Sequence, residues 1–407
     1  MNITSLFIGS ELLVGQTANS NLFKLGEILS SNGYQLTRSE TIPDDITMML
    51  NSFRRNFEET DVLIVVGGLG PTSDDITRKA MAQALNLNTY TEEKVMTWLR
   101  EKLANRPTQP KEEYLTQQAE SIEGAEIIWN LTGLAPALRI QVDKSPIIYL
   151  LPGPPREFTP LVSGPLLDDL QKNFPADLLC RKMRLLGTKE SYVENTLKPH
   201  LEAYPNVLPA YCANLGSVAL RLDTHPKHSE ELNKLWALAE QLFEEEKIET
   251  NTIEEEVIQL LKEKQLTVAT AESCTGGLIG GALSGIAGSS EVFLGSVNTY
   301  ANEWKNHLLQ VPQEILDTVG AVSEDCARAM VTNLCELYKT DCGIAVSGIA
   351  GPGGGTNEKP VGLVYIATYI KGQIKCVTQN FRGNRKDVRE QTVTYALNQL
   401  RLQLLGK

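Results

Sequence analysis

The chain has 407 residues, 42% hydrophobic and 22% charged, with a net charge of −12. That length predicts two or three domains of an ordinary soluble globular protein, and the acidic balance disfavours broad binding to nucleic acid or an anionic membrane. No apolar run approaches the ~18–20 residues of a spanning helix. The seven cysteines form no C-x-x-C pair, so reduced thiols in a cytoplasmic protein without a zinc site are expected.

The opening "MNITSLFIGSELLVG" lacks a basic n-region and reads as a first strand rather than a signal peptide. A helix "ANSNLFKLGEILSSNG" closed by Gly33, a strand "YQLTRSETI", a helix "ITMMLNSFRRNFEE" and a nearly continuous apolar strand "DVLIVVGG" follow. The helix "DDITRKAMAQALN" comes next, and "PALRIQVDKSPIIYLLPG" reads as a hairpin turning at Asp143-Lys144. The alternation predicts an α/β domain with a parallel sheet covered on both faces.

Within it, "GSELLVGQTANSN" (9–21) and "VGGLGPTSDDITRKAMA" (66–82) follow strands, at the carboxyl edge where open α/β sheets bind ligands. Asp74 and Asp75 are expected where a helix begins. Two readings stand for them: simple helix caps, or carboxylates that hold a divalent cation against a pyrophosphate.

Residues 170–248 read as a small α+β subdomain, with strands "KMRLLGT" and "SVALRLDT" and helices "ESYVENTLKPHLEAY" and "SEELNKLWALAEQLFEEE". The acidic runs Glu244–Glu246 and Glu254–Glu256 are expected to be solvated charges bracketing a linker near 247–252. The last 155 or so residues form another α/β unit, with strands "LTVATA", "FLGSVNTY", "CGIAVSG", "VGLVYIATYI" and "QIKCVTQNF", the last two a hairpin through Lys371-Gly372.

Three stretches of this unit carry chemistry. "AESCTGGLIGG" (271–281) is a strand, tight turn and helix that holds Ser273 and Cys274 at a helix N-terminus, with amides of Thr275, Gly276 and Gly277 nearby as candidate oxyanion donors. With four histidines in the chain, the usual base is scarce. "GSVNTYANEWKNHLL" offers Lys305 in the first turn of a helix, where positive potential and burial favour the neutral amine, a general base for serine. Tyr300 precedes it as a group to pass or position the proton. "SGIAGPGGGTNEKPVG" brings Gly351, Gly353 and Gly354 in a loop suited to close approach of a phosphate or ribose, and "FRGNRKDVREQ" brings Arg385 and Arg389, suited to bidentate anion contact. On residue chemistry alone two readings stand, an acyl-transfer site and a plain scaffold.

The motifs "AESCTGG", "GSVNTYANEWK", "GAVSEDCARAM" and "VSGIAGPGGGTNEKPVG" resemble the CinA (competence/damage-inducible) family, and the resemblance runs over nearly the whole chain. It implies a MoaB/MogA-like (molybdopterin-binding-like) α/β domain at 1–168, a KH-like α+β subdomain at 169–248 and a C-terminal α/β nicotinamide mononucleotide deamidase domain at 249–407. It implies Ser273 as nucleophile, Tyr300 and Lys305 as its partners, and Arg385 in preference to Arg389 as substrate arginine. Cys274 is then expected as a small buried hydrophobe. The family often has "TYSNEAK" where this chain has "TYANEWK"; the tyrosine and lysine are kept.

For the N-terminal domain the resemblance implies a metal-dependent ADP-ribose pyrophosphatase, with Mg, Mn or Co held by Asp74, Asp75 and Glu11. "LLPGPPREF" matches the family's LPG-P-E element, whereas "YLTQQAE" (114–120) lacks a usual Asn-Arg and "GLAPA" (133–137) lacks a second glycine, a change expected to narrow a ligand loop. The KH-like part has no G-x-x-G loop, so a spacer or dimerisation element is expected and RNA binding is not. The resulting expectation is a cytoplasmic, homodimeric hydrolase of pyridine-nucleotide salvage that needs no cofactor for deamidation. The alternative is an N-terminal pterin- or nucleotide-binding interaction module linked to competence or DNA repair.

Overall fold

A computed structural model of the protein describes residues 1–104, 111–143, 145–214 and 216–407. It forms two compact units, Met1–Cys180 with His225–Lys227, and Arg181–Thr224 with His228–Lys407.

The first unit holds strands β1 (Ile3–Ile8), β2 (Leu36–Ile42), β3 (Val62–Val66), β4 (Thr89–Thr91), β5 (Glu120–Ile122), β6 (Glu126–Ile128), β7 (Ala137–Ile140) and β8 (Ile147–Leu151). Its main sheet runs β2-β1-β3-β8-β7-β6, and β4 pairs with β5 apart from it. β1 is parallel to β2 and β3, and β3 to β8. β7 is antiparallel to both β8 and β6. The sheet is therefore mixed where a parallel one was expected, because the β7–β8 hairpin folds back onto it. The expected turn residue Lys144 lies outside the described residues.

Both faces are covered. Ile3, Phe7, Val62 and Ile64 pack with Leu25 and Leu29 of helix Ser20–Ser31. Leu6, Ile8, Leu63 and Val65 pack with Met49 and Phe53 of helix Ile46–Glu59. β3 is buried along its whole length, which is why it reads as an unbroken apolar run. Helix Ile46–Glu59 starts where the Asp45 side chain accepts from the Met48 amide, a standard N-cap.

The second unit contains two sheets. β9 (Leu179–Leu186), β10 (Leu208–Asn214), β11 (Ser217–Thr224) and β12 (Lys247–Ile248) are ordered β10-β11-β9-β12. Leu185, Leu220 and Leu222 pack with Leu197 of helix Glu190–Leu201 and with Leu235 of helix Ser229–Leu242. The linker expected near 247–252 starts with a strand instead: Lys247 and Ile248 pair with Leu185 and Arg184. The acidic run beside it is not wholly solvated either. Glu256 is buried and accepts from Arg401 Nε at 2.6 Å, while Arg401, also buried, donates to the carbonyls of Glu245 and Lys247.

The other sheet comprises β13 (Val268–Glu272), β14 (Phe293–Asn298), β15 (Cys342–Gly348), β16 (Leu363–Ile370) and β17 (Gln373–Asn380), in the order β14-β13-β15-β16-β17. β13 is parallel to β14 and β15. β16 and β17 are antiparallel and turn through Lys371 and Gly372, both at positive φ. Helices Ile253–Glu263 and Arg385–Leu404 bury Val257, Leu261 and Leu397 against one face. Helix Glu324–Tyr338 buries Met330 and Leu334 against the other. The carboxyl ends of β14, β13 and β15 therefore open side by side. Among the described residues no helix is long and apolar enough to cross a membrane.

Candidate active site

Ser273 directly follows β13 and is buried. The chain then turns through Gly276 and Gly277, both at positive φ, into helix Leu278–Ser284. The helix lies tight on β14: a Cβ on Gly280 would fall 2.8 Å from that of Ser296. Lys305 sits in helix Asn302–Leu309, as its position after β14 suggested, and is 1% exposed. Its Nζ lies 3.1 Å from Ser273 Oγ, 2.7 Å from Thr299 O and 3.4 Å from Tyr300 O.

Burial holds the Lys305 amine below its ordinary pKa of 10.5. The thiols of Cys326 and Cys274 act in the opposite sense, as smaller effects. A neutral amine has two N–H donors and one lone pair. With carbonyls at Thr299 and Tyr300 to take the donors, the lone pair is left for the serine hydroxyl. Cys274 is buried, and desolvation pushes its thiol up to about 11, so it is uncharged near neutrality.

Ser273, Lys305, Tyr300, Gly351 and Arg385 line one cavity of about 250 Å³, which Gly353 and Gly354 also border. Arg385 opens helix Arg385–Leu404, whose start is fixed by an Asn384–Asp387 capping box. Its guanidinium donates to Gly351 O and to the Tyr300 hydroxyl, each at 2.8 Å. The Tyr300 hydroxyl is thus engaged by Arg385 at an exposed position, while the contact of Tyr300 with Lys305 runs through its carbonyl. Lys305 reaches Ser273 without a relay. Arg389 lies behind the turn, donating to Thr275 O at 2.6 Å, and lines a neighbouring cavity with Arg385.

The three amides expected as oxyanion donors are used differently. Gly276 N–H closes the turn on Ser273 O at 3.1 Å, and Gly277 N–H donates to the Glu272 carboxylate at 3.0 Å. Thr275 sends its hydroxyl to the same carboxylate. The amides of Cys274 and Thr275 donate to no backbone carbonyl among the described residues. Two further residues escaped the sequence reading. Glu272 is completely buried beneath the turn, and Ser347, at the end of β15, lines the cavity and donates to Ala321 O at 2.6 Å. An acidic residue closing an apolar strand was the one signal for Glu272.

The N-terminal unit has its own cavity of about 330 Å³, lined by Gly70, Lys102, Gln118, Thr132, Gly133 and Glu157 among others. Glu157 is buried and accepts from Asn130 Nδ2 at 2.7 Å. Lys102 Nζ donates to the carbonyls of Asn130, Leu131 and Gly133 and lies 4.5 Å over the Trp98 ring. The altered "YLTQQAE" segment still anchors the glycine loop, with Gln117 on Thr72 O and Gln118 on Leu69 O. Ala137, the missing second glycine, opens β7 and points into the core, so it does not narrow the cavity as expected.

Asp74 and Asp75 precede the helix, which begins at Thr77. Neither caps it. Asp75 instead accepts from the Thr72 amide at 2.9 Å and shapes the turn. Asp74 is exposed, and hydrogen bonding at Thr72 holds its carboxyl below the ordinary range. Glu11 borders a separate small cavity beside Asn19 and Asn21. Among the described residues no three His, Cys, Asp or Glu side chains converge where a metal could sit. Glu11, Asp74 and Asp75 therefore do not fit a shared metal centre.

Fold and site define a class: a multidomain α/β protein whose C-terminal sheet carries a buried serine–lysine pair of the kind hydrolases use. The comparisons agree with that architecture. The family "CinA C-terminal domain" matches residues 250–404, and "Probable molybdopterin binding domain" matches residues 4–172. A "CinA-like protein" of Thermotoga maritima is 37% identical over 98% of this chain and 97% of its own. A "Putative competence-damage inducible protein" of Clostridium beijerinckii is 36% identical over 98% and 99%. The crystal structure of a competence/damage inducible protein from Agrobacterium tumefaciens is 42% identical, covers 38% of this chain and 93% of its own, and superposes with a TM-score of 0.37. The chain belongs to the CinA family.

Proposed function

We propose that the C-terminal domain is a nicotinamide mononucleotide deamidase that converts its substrate and water to nicotinate mononucleotide and ammonia. The observation that carries this reading is the buried Lys305 amine 3.1 Å from Ser273 Oγ at the foot of an open cavity. Neutral Lys305 takes the Ser273 proton as Oγ attacks the carboxamide carbon. The tetrahedral oxyanion is met by the Cys274 amide, the residue after the nucleophile. Lys305 returns the proton to the departing nitrogen, the C–N bond breaks and ammonia leaves. Water, deprotonated by the same amine, then hydrolyses the nicotinoyl ester and frees Ser273. Arg385 at the cavity mouth suits the 5′-phosphate, and the 351–355 glycine loop allows close approach of the ribose. The test is ammonia release from nicotinamide mononucleotide by the intact protein and by Ser273→Ala.

A second activity, hydrolysis of ADP-ribose to AMP and ribose 5-phosphate, is supported in the N-terminal unit by its cavity. There Glu157 is a buried acceptor, and Lys102 pins the 130–133 segment that forms one wall. AMP release from ADP-ribose by the full chain, with and without added divalent cation, tests it.

A further inference from the structure

Glu272 is the last residue of β13 and is completely buried, yet the proposed reaction does not use it. Its Oε2 accepts from Thr275 Oγ1 at 2.7 Å and from the amides of Gly277 and Ile279, each at 3.0 Å. Its Oε1 accepts from the Gly280 amide at 2.7 Å and, at longer range, from Thr270 Oγ1 and Ser296 Oγ. None of these partners is a cation. A carboxylate buried without a counter-ion is costly unless its oxygens are fully hydrogen-bonded. Here the strongest donors all come from the segment that leads the chain away from Ser273.

The backbone of the same residue faces the other half of the pair. Glu272 O accepts from the Thr299 amide at 2.8 Å, and Thr299 O is the closest partner of Lys305 Nζ. One residue is thereby bonded through its side chain to the nucleophile's turn and through its carbonyl to the residue that holds the base. We propose that Glu272 is a positioning residue that sets the approach of Ser273 to Lys305. It also occupies the amides of Gly277, Ile279 and Gly280 at the start of helix Leu278–Ser284, which are therefore unavailable to a substrate phosphate. This rests on the serine–lysine reading above but not on the identity of the substrate.

A glutamine at 272 keeps the shape but places an N–H₂ against backbone N–H groups, so the turn must shift. The test compares the full-length protein with Glu272→Gln by the rate of Ser273 labelling with a fluorophosphonate, and by kcat and KM for ammonia release across pH. The labelling rate and kcat should fall roughly a hundredfold, the size of effect that a misplacement of about 1 Å produces. KM and the acid limb should stay in place, because Lys305 remains buried. A purely structural role would reduce the amount of folded protein but leave the labelling rate of the folded fraction unchanged; that result overturns the proposal, as does a shifted acid limb. A wild type labelled at Ser273 that releases no ammonia sinks the substrate reading alone, and the labelling comparison still decides on Glu272. A wild type not labelled at Ser273 overturns both. If Glu272→Gln does not fold, Thr275→Val removes one donor to the carboxylate and should slow labelling roughly tenfold, the lower end for losing one hydrogen bond to a charged group; an unchanged rate overturns the proposal.

Discussion

Replacing Lys305 with methionine retains a buried unbranched stem and removes the amine 3.1 Å from Ser273 Oγ. General-base catalysis contributes ~10²–10⁴ in rate, equivalent to ~2.7–5.5 kcal/mol of transition-state stabilisation. Loss within that range is expected in kcat, with KM nearly constant. Because burial lowers the Lys305 pKa, wild-type kcat/KM should rise with pH along an acid limb below 10.5, and Lys305→Met should lack that limb. Stability follows the same sign. Between its lowered folded pKa and its unfolded value, Lys305 binds fewer protons in the folded state, so wild-type stability rises with pH through that window. Each unit of depression is worth about 1.4 kcal/mol. Wild type should therefore gain thermal stability relative to Lys305→Met as pH rises towards 10.5. Steady-state ammonia release and paired melting curves measure both effects. Lys305→Arg tests charge against basicity, since arginine does not deprotonate in this range and cannot replace the amine. An active Lys305→Arg enzyme with the wild-type pH profile would refute the reasoning.

Cys274→Ala should retain most activity, and the Cys274 thiol, pushed up to about 11, should resist iodoacetamide near neutrality until the protein unfolds, as mass spectrometry of labelled peptides can show; rapid native labelling contradicts its burial. Glu256→Gln leaves the Arg401 guanidinium buried without its counter-charge, so the second unit should lose ~3–5 kcal/mol, seen as an earlier melting transition. In the N-terminal unit, a Cβ on Gly133 would fall 1.8 Å from Glu157 Oε2, so Gly133→Ala should displace Glu157 and abolish AMP release from ADP-ribose while ammonia release persists. Equal loss of both activities would show general misfolding instead.

What the sequence discloses depends on the distance over which each feature is determined. Helix Ile46–Glu59 is read at its true bounds because its cap and its apolar spacing are local. The strand–turn–helix around Ser273 is legible for the same reason. The two-residue strand Lys247–Ile248 is too short for any periodicity, and its pairing partner lies far back in β9. Glu256 looks solvated until Arg401, 145 residues on, is brought beside it. Three expected oxyanion donors were too many because, once the turn closes, the Gly277 amide is claimed by the Glu272 carboxylate and the Gly276 amide by Ser273 O. Asp74, Asp75 and Glu11 lie near a ligand-binding strand edge in sequence, but sequence proximity to that edge does not fix side-chain direction, and among the described residues the three do not gather at one site.

The most direct measurement is ammonia release from nicotinamide mononucleotide by the purified full-length protein, set beside Ser273→Ala. Stoichiometric ammonia and nicotinate mononucleotide from wild type, with none above background from a folded Ser273→Ala, is the result this account predicts. Equal turnover by the two proteins, or none from a wild type whose Ser273 a fluorophosphonate labels, would contradict it.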